Sequence, residues 1–407
     1  MKVDKTLSLK YNLLIKSKLT TVNIIAMTNK DTENHQRKEN TMDLNTQVCI
    51  VGAGPGGALL GYLLAAQGVS VILLERHGHI DKEFRGEHLN AVGERILRQH
   101  GLYEQVRREG LLHMERVEYF QDGQIIKTIL PGPGEEHTGI HVPQKNLLHV
   151  LLGQSLKFPN YRLMMDTTVT DLIRDPVDHQ VTGVRVRYDG EELTIHSRLV
   201  IGADGRYSTV RKLAGIQATI IKHGFDLLWA RIPAPDGWPP TVRMALAQEA
   251  QLALFTQQGG YIQIGWNIPQ DTYPQLRKSP VDPFAEALIH AFPQLQVTVQ
   301  EHIRSWNDFV LLKVQSCVCD TWVQPGLVIM GDAAHTFSPT GAIGVNSAMQ
   351  DAHVLAPLLL EALAADDVSS ERLGVFEQLR RQETADELDS QFTREAGFRD
   401  QFPAYRS

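Results

Sequence analysis

The chain has 407 residues, 43% hydrophobic and 21% charged, with a formal net charge of −7. That profile fits a globular protein of one large domain or two intertwined ones and excludes a disordered chain. The acidic balance argues against tracking a nucleic-acid backbone. The lack of any apolar run of about 18 residues argues against a spanning helix. Cys317 and Cys319, one residue apart, have poor geometry for a mutual disulfide, and Cys49 sits in an apolar run. This cysteine usage fits a reducing cytoplasm. The histidines show no metal-ligand pairing; His77 and His79 flank a glycine on a predicted loop, so no metal is expected.

The first segment, residues 1–43, is rich in Lys, Thr and Asn, and Lys16 and Lys18 interrupt its one hydrophobic stretch. It reads as a disordered tail or an over-long start, with Met27 and Met42 as alternative first residues. Gln47 to Val51 then reads as a short buried strand, followed by Gly52-Ala53-Gly54-Pro55-Gly56-Gly57. The next run places Leu59, Leu63 and Ala66 on one helical face, with Gly68 as C-cap, and Val69 to Leu74 reads as a second strand ending in Glu75-Arg76. Each part has a physical reason. Gly52 permits a tight turn, Gly54 lets a pyrophosphate approach the backbone, and Gly57 lets helix and strand pack closely. The helix N-terminus offers free N–H groups to the phosphate, and Glu75 is placed for the adenosine ribose hydroxyls. The unit predicts a dinucleotide site without separating NAD from FAD.

Two later stretches repeat the pattern of a strand ending at an acid. Leu199-Val200-Ile201-Gly202-Ala203-Asp204-Gly205 is followed by Ser208 and Arg211. Gly326-Leu327-Val328-Ile329-Met330-Gly331-Asp332-Ala333-Ala334-His335 is followed by Pro339, Gly341, Gly344, Val345, Asn346 and Asp351-Ala352. With the first unit, these motifs resemble the FAD-binding signature of the para-hydroxybenzoate hydroxylase family, the class A FAD-dependent aromatic monooxygenases. The pattern D-G-x-x-S-x-x-R is matched at Asp204, Gly205, Ser208 and Arg211.

The resemblance implies an α/β fold, with a Rossmann-like FAD-binding domain of the GR2 type and an inserted mixed or antiparallel β-sheet substrate domain. FAD would be held non-covalently by residues 44–110, 137–215 and 316–365. Residues 111–136 and 216–315 would form the substrate sheet, and 366–407 a C-terminal helix and tail. It further implies that Asp204, Gly205 and Arg211 lie near the pyrophosphate and that Asp332, after Gly331, bonds the ribityl chain. Gly341 and Gly344 would let backbone amides near the flavin. The helix carrying Val345 and Asn346 would point its N-terminus at the ring, with Pro339 beside it. Gln144, in Val142-Pro143-Gln144-Lys145 ahead of a helical run to Leu156, would contact the ribityl and pyrophosphate region. Arg85, in Arg85-Gly86-Glu87, would contact the cofactor phosphates. Ala342 and Ile343 depart from the Gly-Gln that many members carry there.

For the substrate side, Arg243 to Leu254 and Gly260 to Ile268 read as neighbouring antiparallel strands, and Leu112 to Ile129 as more of the same sheet. Trp229, Met244, Tyr261, Trp266 and Phe337 are the candidate lining residues, with His88 and Asn90 as further polar candidates. No second Gly-rich nucleotide unit follows, so NAD(P)H is expected to visit the flavin transiently. The resemblance implies reaction of reduced flavin with O2 at C4a and transfer of one oxygen atom from the resulting hydroperoxide to a small aromatic substrate, phenolic or polycyclic. No residue in the sequence identifies itself as a general base, and monomer and homodimer stay open.

Four other readings stay open. A flavin-dependent halogenase carries W-x-W-x-I-P, of which Ile264-Gly265-Trp266-Asn267-Ile268-Pro269 keeps the last three fixed positions. The others are an isoprenoid (geranylgeranyl-type) reductase, a ubiquinone-type hydroxylase at a membrane and a non-enzymatic flavin sensor.

Overall fold

The computed structural model describes residues 43–80, 87–247 and 250–402. The expected tail at 1–43 and the assignment of Arg85 lie outside the described residues, apart from Asp43. Two sheets organise the rest. The first has eight strands, and its centre is parallel. Asp43–Val51 runs between Glu191–Gly202 and Val71–Leu74, and Leu327–Ile329 and Tyr161–Met164 extend the sheet on either side. Such a sheet is buried on both faces, which is why its strands read as continuous apolar runs. Val48, Cys49, Ile50, Leu199, Val200 and Ile201 are all fully buried. The first helix, Pro55–Ala66, and the long helix Ile343–Ala364 pack against one another across this core: a Cβ on Gly56 would lie 2.8 Å from the Ala348 carbonyl.

The second sheet is mixed and has seven strands. From edge to edge they are Val310–Leu312, Phe225–Pro233, Tyr261–Pro269, Ala250–Gln257, Thr241–Ala247, Arg116–Gln121 and Gln124–Ile129. All neighbours are antiparallel except Thr241–Ala247 with Arg116–Gln121. One expectation is corrected here. Arg243 to Leu254 is a hairpin, not one strand: Met244 pairs with Ala253 and Ala245 with Leu252. No Gly or Pro interrupts that run, so the sequence hides the reversal. Leu112–His113 is also displaced, pairing instead with Ile140–His141 in a small three-stranded sheet.

The region between 218 and 304 is not all strand either. Helices Asp282–Ala291 and Gln296–His302 cover the sheet's outer face, with Leu288, Phe292, Leu295 and Val299 buried against Leu228, Ile264 and Trp266. Pro283 at the first turn suits a helix start, because its missing N–H would be unpaired there anyway. The C-terminal helix Ser370–Ala396 closes the molecule, capped by the Ser369 hydroxyl on the Arg372 amide at 3.3 Å. Among the described residues, no helix is long and apolar enough to cross a membrane.

Candidate active site

Strand register brings the three motifs to one level. Val51 lies opposite Gly202 and Leu74, and Gly202 opposite Ile329. The chain therefore leaves the sheet at Gly52, Glu75, Ala203 and Met330 side by side, at the carboxyl ends of parallel strands, where open α/β sheets bind ligands. Gly52 has φ +107°, and a Cβ there would lie 2.4 Å from the Ala203 carbonyl. A Cβ on Gly57 would lie 2.1 Å from the Gly52 oxygen. At Gly54 a Cβ would meet nothing within 4 Å, so that glycine faces open space. The helix behind it starts with Pro55, has no side-chain cap and carries no acid in its first turn. Its amides are free to hold an anion. Glu75 is buried, accepts the Ala53 amide at 3.1 Å and lies 2.5 Å from His77 Nδ1, which fixes its carboxylate beside the turn. Arg76 is exposed.

Asp204 caps its own helix. Its carboxylate accepts the Ser208 hydroxyl at 2.5 Å and the amides of Thr209 and Val210 at 2.6 and 3.1 Å. Gly205, at φ +83°, lets the chain turn into that cap. Arg211 is buried and donates to the carbonyls of Ala333 and Arg206 at 2.8 and 3.0 Å. It ties the second motif to the third, a structural role that the sequence does not disclose.

In the third motif Gly331 has φ +57°, and a Cβ on Gly344 would meet only Asp332 Oδ1, at 3.7 Å. Asp332 therefore stands at the mouth of the long helix, whose first turn has no side-chain cap and no acid. Ala342 is left-handed, at φ 53° and ψ 39°. Asn346 is buried: its amide donates to the His88 and Ala342 carbonyls at 3.1 and 2.7 Å, and its oxygen accepts the Asn90 amide at 3.1 Å. Gly344 and Val345 beside it are half-buried, as is Pro339.

The residue that organises this motif is Asp351. Fully buried, it accepts the Gly331 amide at 2.8 Å, His335 Nε2 at 2.7 Å and Arg380 Nε at 2.7 Å. Burial pushes its carboxyl up, but the His335 and Arg380 charges and hydrogen bonds outweigh that and hold it below the usual value. Arg380 also pairs with Glu383 and donates to the Ser347 hydroxyl at 2.9 Å. The sequence marks Asp351 only as an acid downstream of the motif; its partner on another helix carries no local signal.

Gln144 opens the helix Gln144–Ser155, and its backbone N–H donates to Glu87 Oε1 at 3.3 Å. Glu87 links onward to the seven-stranded sheet: its Oε2 accepts Gln257 Nε2 at 2.9 Å and lies 3.9 Å from His141 Nε2. Gln257 Nε2 also donates to Gln263 Oε1 at 2.5 Å. The sheet's inner face, carrying Gln257 and Gln263, thus meets the cofactor-binding body at Glu87.

Alternation along the strands sorts the candidate lining residues. Trp229 and Met244 are half-buried on the inner face, where Trp229 lies 6.1 Å from Phe255. A Cβ on Gly265 would be 2.7 Å from the Trp229 ring, so this glycine lets the indole pack against the strand. Tyr261, 41% exposed, sits at a strand end under Arg231. Trp266 is a correction: it points to the outer face, buried against Phe284 at 4.6 Å, where the helices cover it. Its neighbours in the strand, Gly265 and Asn267, take the inner face, because parity alone decides the side. Phe337 is buried against His335 at 5.4 Å.

An open Gly54 cradle, two uncapped helix N-termini and acids at both ends of the groove fit FAD. The family model described as FAD binding domain matches residues 45–389. The chain belongs to this family of FAD-dependent monooxygenases. The flavoprotein is 34% identical over 346 residues to 6-methylpretetramide 4-monooxygenase of Streptomyces rimosus, covering 84% of this chain and 81% of the relative. It is 24% identical over 348 residues to digeranylgeranylglycerophospholipid reductase of Methanosarcina acetivorans, covering 84% and 82%. Among solved structures, PqsL of Pseudomonas aeruginosa, described as a probable FAD-dependent monooxygenase, superposes with a TM-score of 0.76. At 21% identity over 87% of this chain and 96% of that one, the likeness establishes the fold.

Proposed function

We propose that the flavoprotein hydroxylates a small aromatic molecule, phenolic or polycyclic, against the inner face of the seven-stranded sheet, with NAD(P)H as a transient reductant and O2 as co-substrate. The observation that carries this reading is the half-buried Trp229 indole packed against Gly265 on the face that meets the cofactor-binding body. A half-buried indole can stack on a planar ring. The relative that acts on 6-methylpretetramide supports an aromatic substrate. Bound and reduced, FAD would supply the oxygen-activating chemistry.

The chain's own residues do the rest. Gly52, Gly54, Pro55, Gly56 and Gly57 form the pyrophosphate turn, and Glu75 stands at the ribose end. Asp332, Gly344 and Val345 present the ribityl and ring end. The uncapped N-terminus of the long helix places partial positive charge where electron density would accumulate. Met244, Ala253 and Phe255 exclude water from the inner face, and Gln257, Gln263 and Glu87 form its polar patch. Glu87 is the carboxylate of that patch, able to accept a substrate hydroxyl's hydrogen bond or its proton. Three buried thiols fit a cytoplasmic enzyme.

The test is oxidation of NADH and NADPH by the FAD-loaded protein with 6-methylpretetramide, a single-ring phenol and a geranylgeranyl lipid. Acceleration by an aromatic compound with matching O2 uptake is expected. Reduction of the lipid double bonds without O2 would instead favour the reductase reading, which the archaeal relative supports. The halogenase reading finds less support. Its tryptophan motif falls on Trp266, which faces away from the groove. The lysine beside the inner face, Lys127, sits on an exposed edge strand, bonded to Gln401 at 2.7 Å.

A further inference from the structure

We propose that the end of the C-terminal helix is a clasp that sets the Ser338–Ala342 turn, with Glu395 and His223 as its positioning residues. The functional consequence rests on the assignment of that turn to the flavin ring; the clasp itself does not. Three residues on one helical face reach the turn, spaced i, i+3 and i+4. Gln391 is fully buried and grips Ser338 like a paired strand: its oxygen accepts the Ser338 amide at 3.0 Å, and its amide donates to the Ser338 carbonyl at 2.9 Å. The same amide donates to the Thr340 carbonyl at 2.6 Å. Arg394 lies over Gly341, where a Cβ would be 2.6 Å from its Nη1. Glu395 accepts the Ser338 hydroxyl at 2.6 Å.

Glu395 does not act alone. His223 Nδ1 lies 2.6 Å from Glu395 Oε2, and His223 Nε2 lies 2.7 Å from the hydroxyl of Ser316. The His223 side chain is fully buried and stacks on Phe392 at 4.6 Å, nearly parallel at 9°. A serine, a histidine and a carboxylate in line resemble a nucleophilic triad. Here both ends are occupied and Ser316 is fully buried, so the array has no access to a substrate and serves position. Burial pushes the Glu395 carboxyl up, but the hydrogen bonds from His223, Ser338 and Thr340 outweigh that and hold it below the usual value.

The turn needs such support. Gly341 and Ala342 are left-handed in succession, at φ 78° and 53°, and the alanine is strained in that region. No side chain within the turn's own helix caps it. His223 also lies two residues before the strand Phe225–Pro233, which carries Trp229. The clasp therefore joins the entry to a strand of the substrate sheet to the turn through the buried His223 and the half-buried Glu395.

The experiment is hydrogen exchange of the FAD-free protein, comparing wild type with Ser338→Ala and Glu395→Gln. FAD affinity and the visible circular dichroism of bound flavin are measured alongside. Exchange over 338–342 should rise about tenfold or more, FAD should bind about tenfold more weakly, and the flavin spectrum should change. Exchange over Gly52–Gly57 should not move. Unchanged protection at 338–342, or equal loosening of both turns, overturns the clasp. Ser338→Ala removes one hydroxyl and keeps the test decisive should Glu395→Gln fail to fold. A loosened turn with unchanged FAD affinity and an unchanged flavin spectrum overturns the flavin assignment and leaves the clasp standing.

Discussion

The two glycine-bearing turns of the groove are built on opposite principles. Gly52–Gly57 is closed mainly by backbone crowding: Gly57 abuts the Gly52 carbonyl and Gly52 abuts the Ala203 carbonyl, with one side chain, Glu75, on the Ala53 amide. The stretch from Gly331 to Gly344 is held from outside: Asp351, paired with Arg380, anchors the Gly331 amide, and Gln391 and Glu395 on the C-terminal helix hold Ser338. The first turn is confined chiefly by backbone sterics. The second keeps its geometry only while side chains from other segments are in place, so it is the turn that mutation should move.

The largest effect should come from Asp351→Asn, which leaves the buried Arg380 guanidinium without its main partner and the Gly331 turn without its anchor. Global stability should fall by about 3–5 kcal/mol in denaturant unfolding. A loss below about 1 kcal/mol would break the contrast, since the second turn would then not depend on outside support. Gly57→Ala tests the self-closed turn. Overpacking against the Gly52 carbonyl should cost about 1–3 kcal/mol and abolish FAD binding in a fluorescence titration, and retention of wild-type affinity would contradict that.

Acid should act next, at the seam between sheet and groove. Burial, reinforced by His137, lowers His88 to about 4, and burial, reinforced by His88, lowers His141 to about 3. Both stay neutral in the folded chain while the unfolded chain begins to protonate them near pH 6.5. The unfolded state therefore binds more protons as pH falls, and stability declines from about pH 6.5 toward about pH 4. His141→Gln should reduce this slope by about one proton, or about 1.4 kcal/mol per pH unit. An unaltered slope would refute the assignment. The smallest effect is a gain: Ala342→Gly should relieve the left-handed strain and stabilise by up to about 1 kcal/mol, read as a small rise in Tm. A loss would mean that the alanine methyl packs productively.

The same contrast explains what could be read from the sequence. Gly52, Gly54, Gly57, Asp204 and Asp332 were legible because backbone sterics and strand ends restrict which residue can stand there. The parallel strands were legible because burial on both faces leaves continuous apolar runs. Trp229 and Trp266 were not distinguishable: each lies on a strand of one sheet, and a single step of parity sends one inward and the other under the helices. The hairpin within Arg243 to Leu254 carried no breaker. Asp351 with Arg380, and His223 with Glu395, were invisible because the partners lie 29 and 172 residues apart. Only the fold makes either pair meaningful.

The most direct test supplies the FAD-loaded enzyme with NAD(P)H, oxygen-18 gas and the aromatic compound that most accelerates its NAD(P)H oxidation, and weighs the product by mass spectrometry. One labelled oxygen atom per product molecule is the expected result. A product carrying oxygen from water, or reduced rather than oxygenated, would contradict the account.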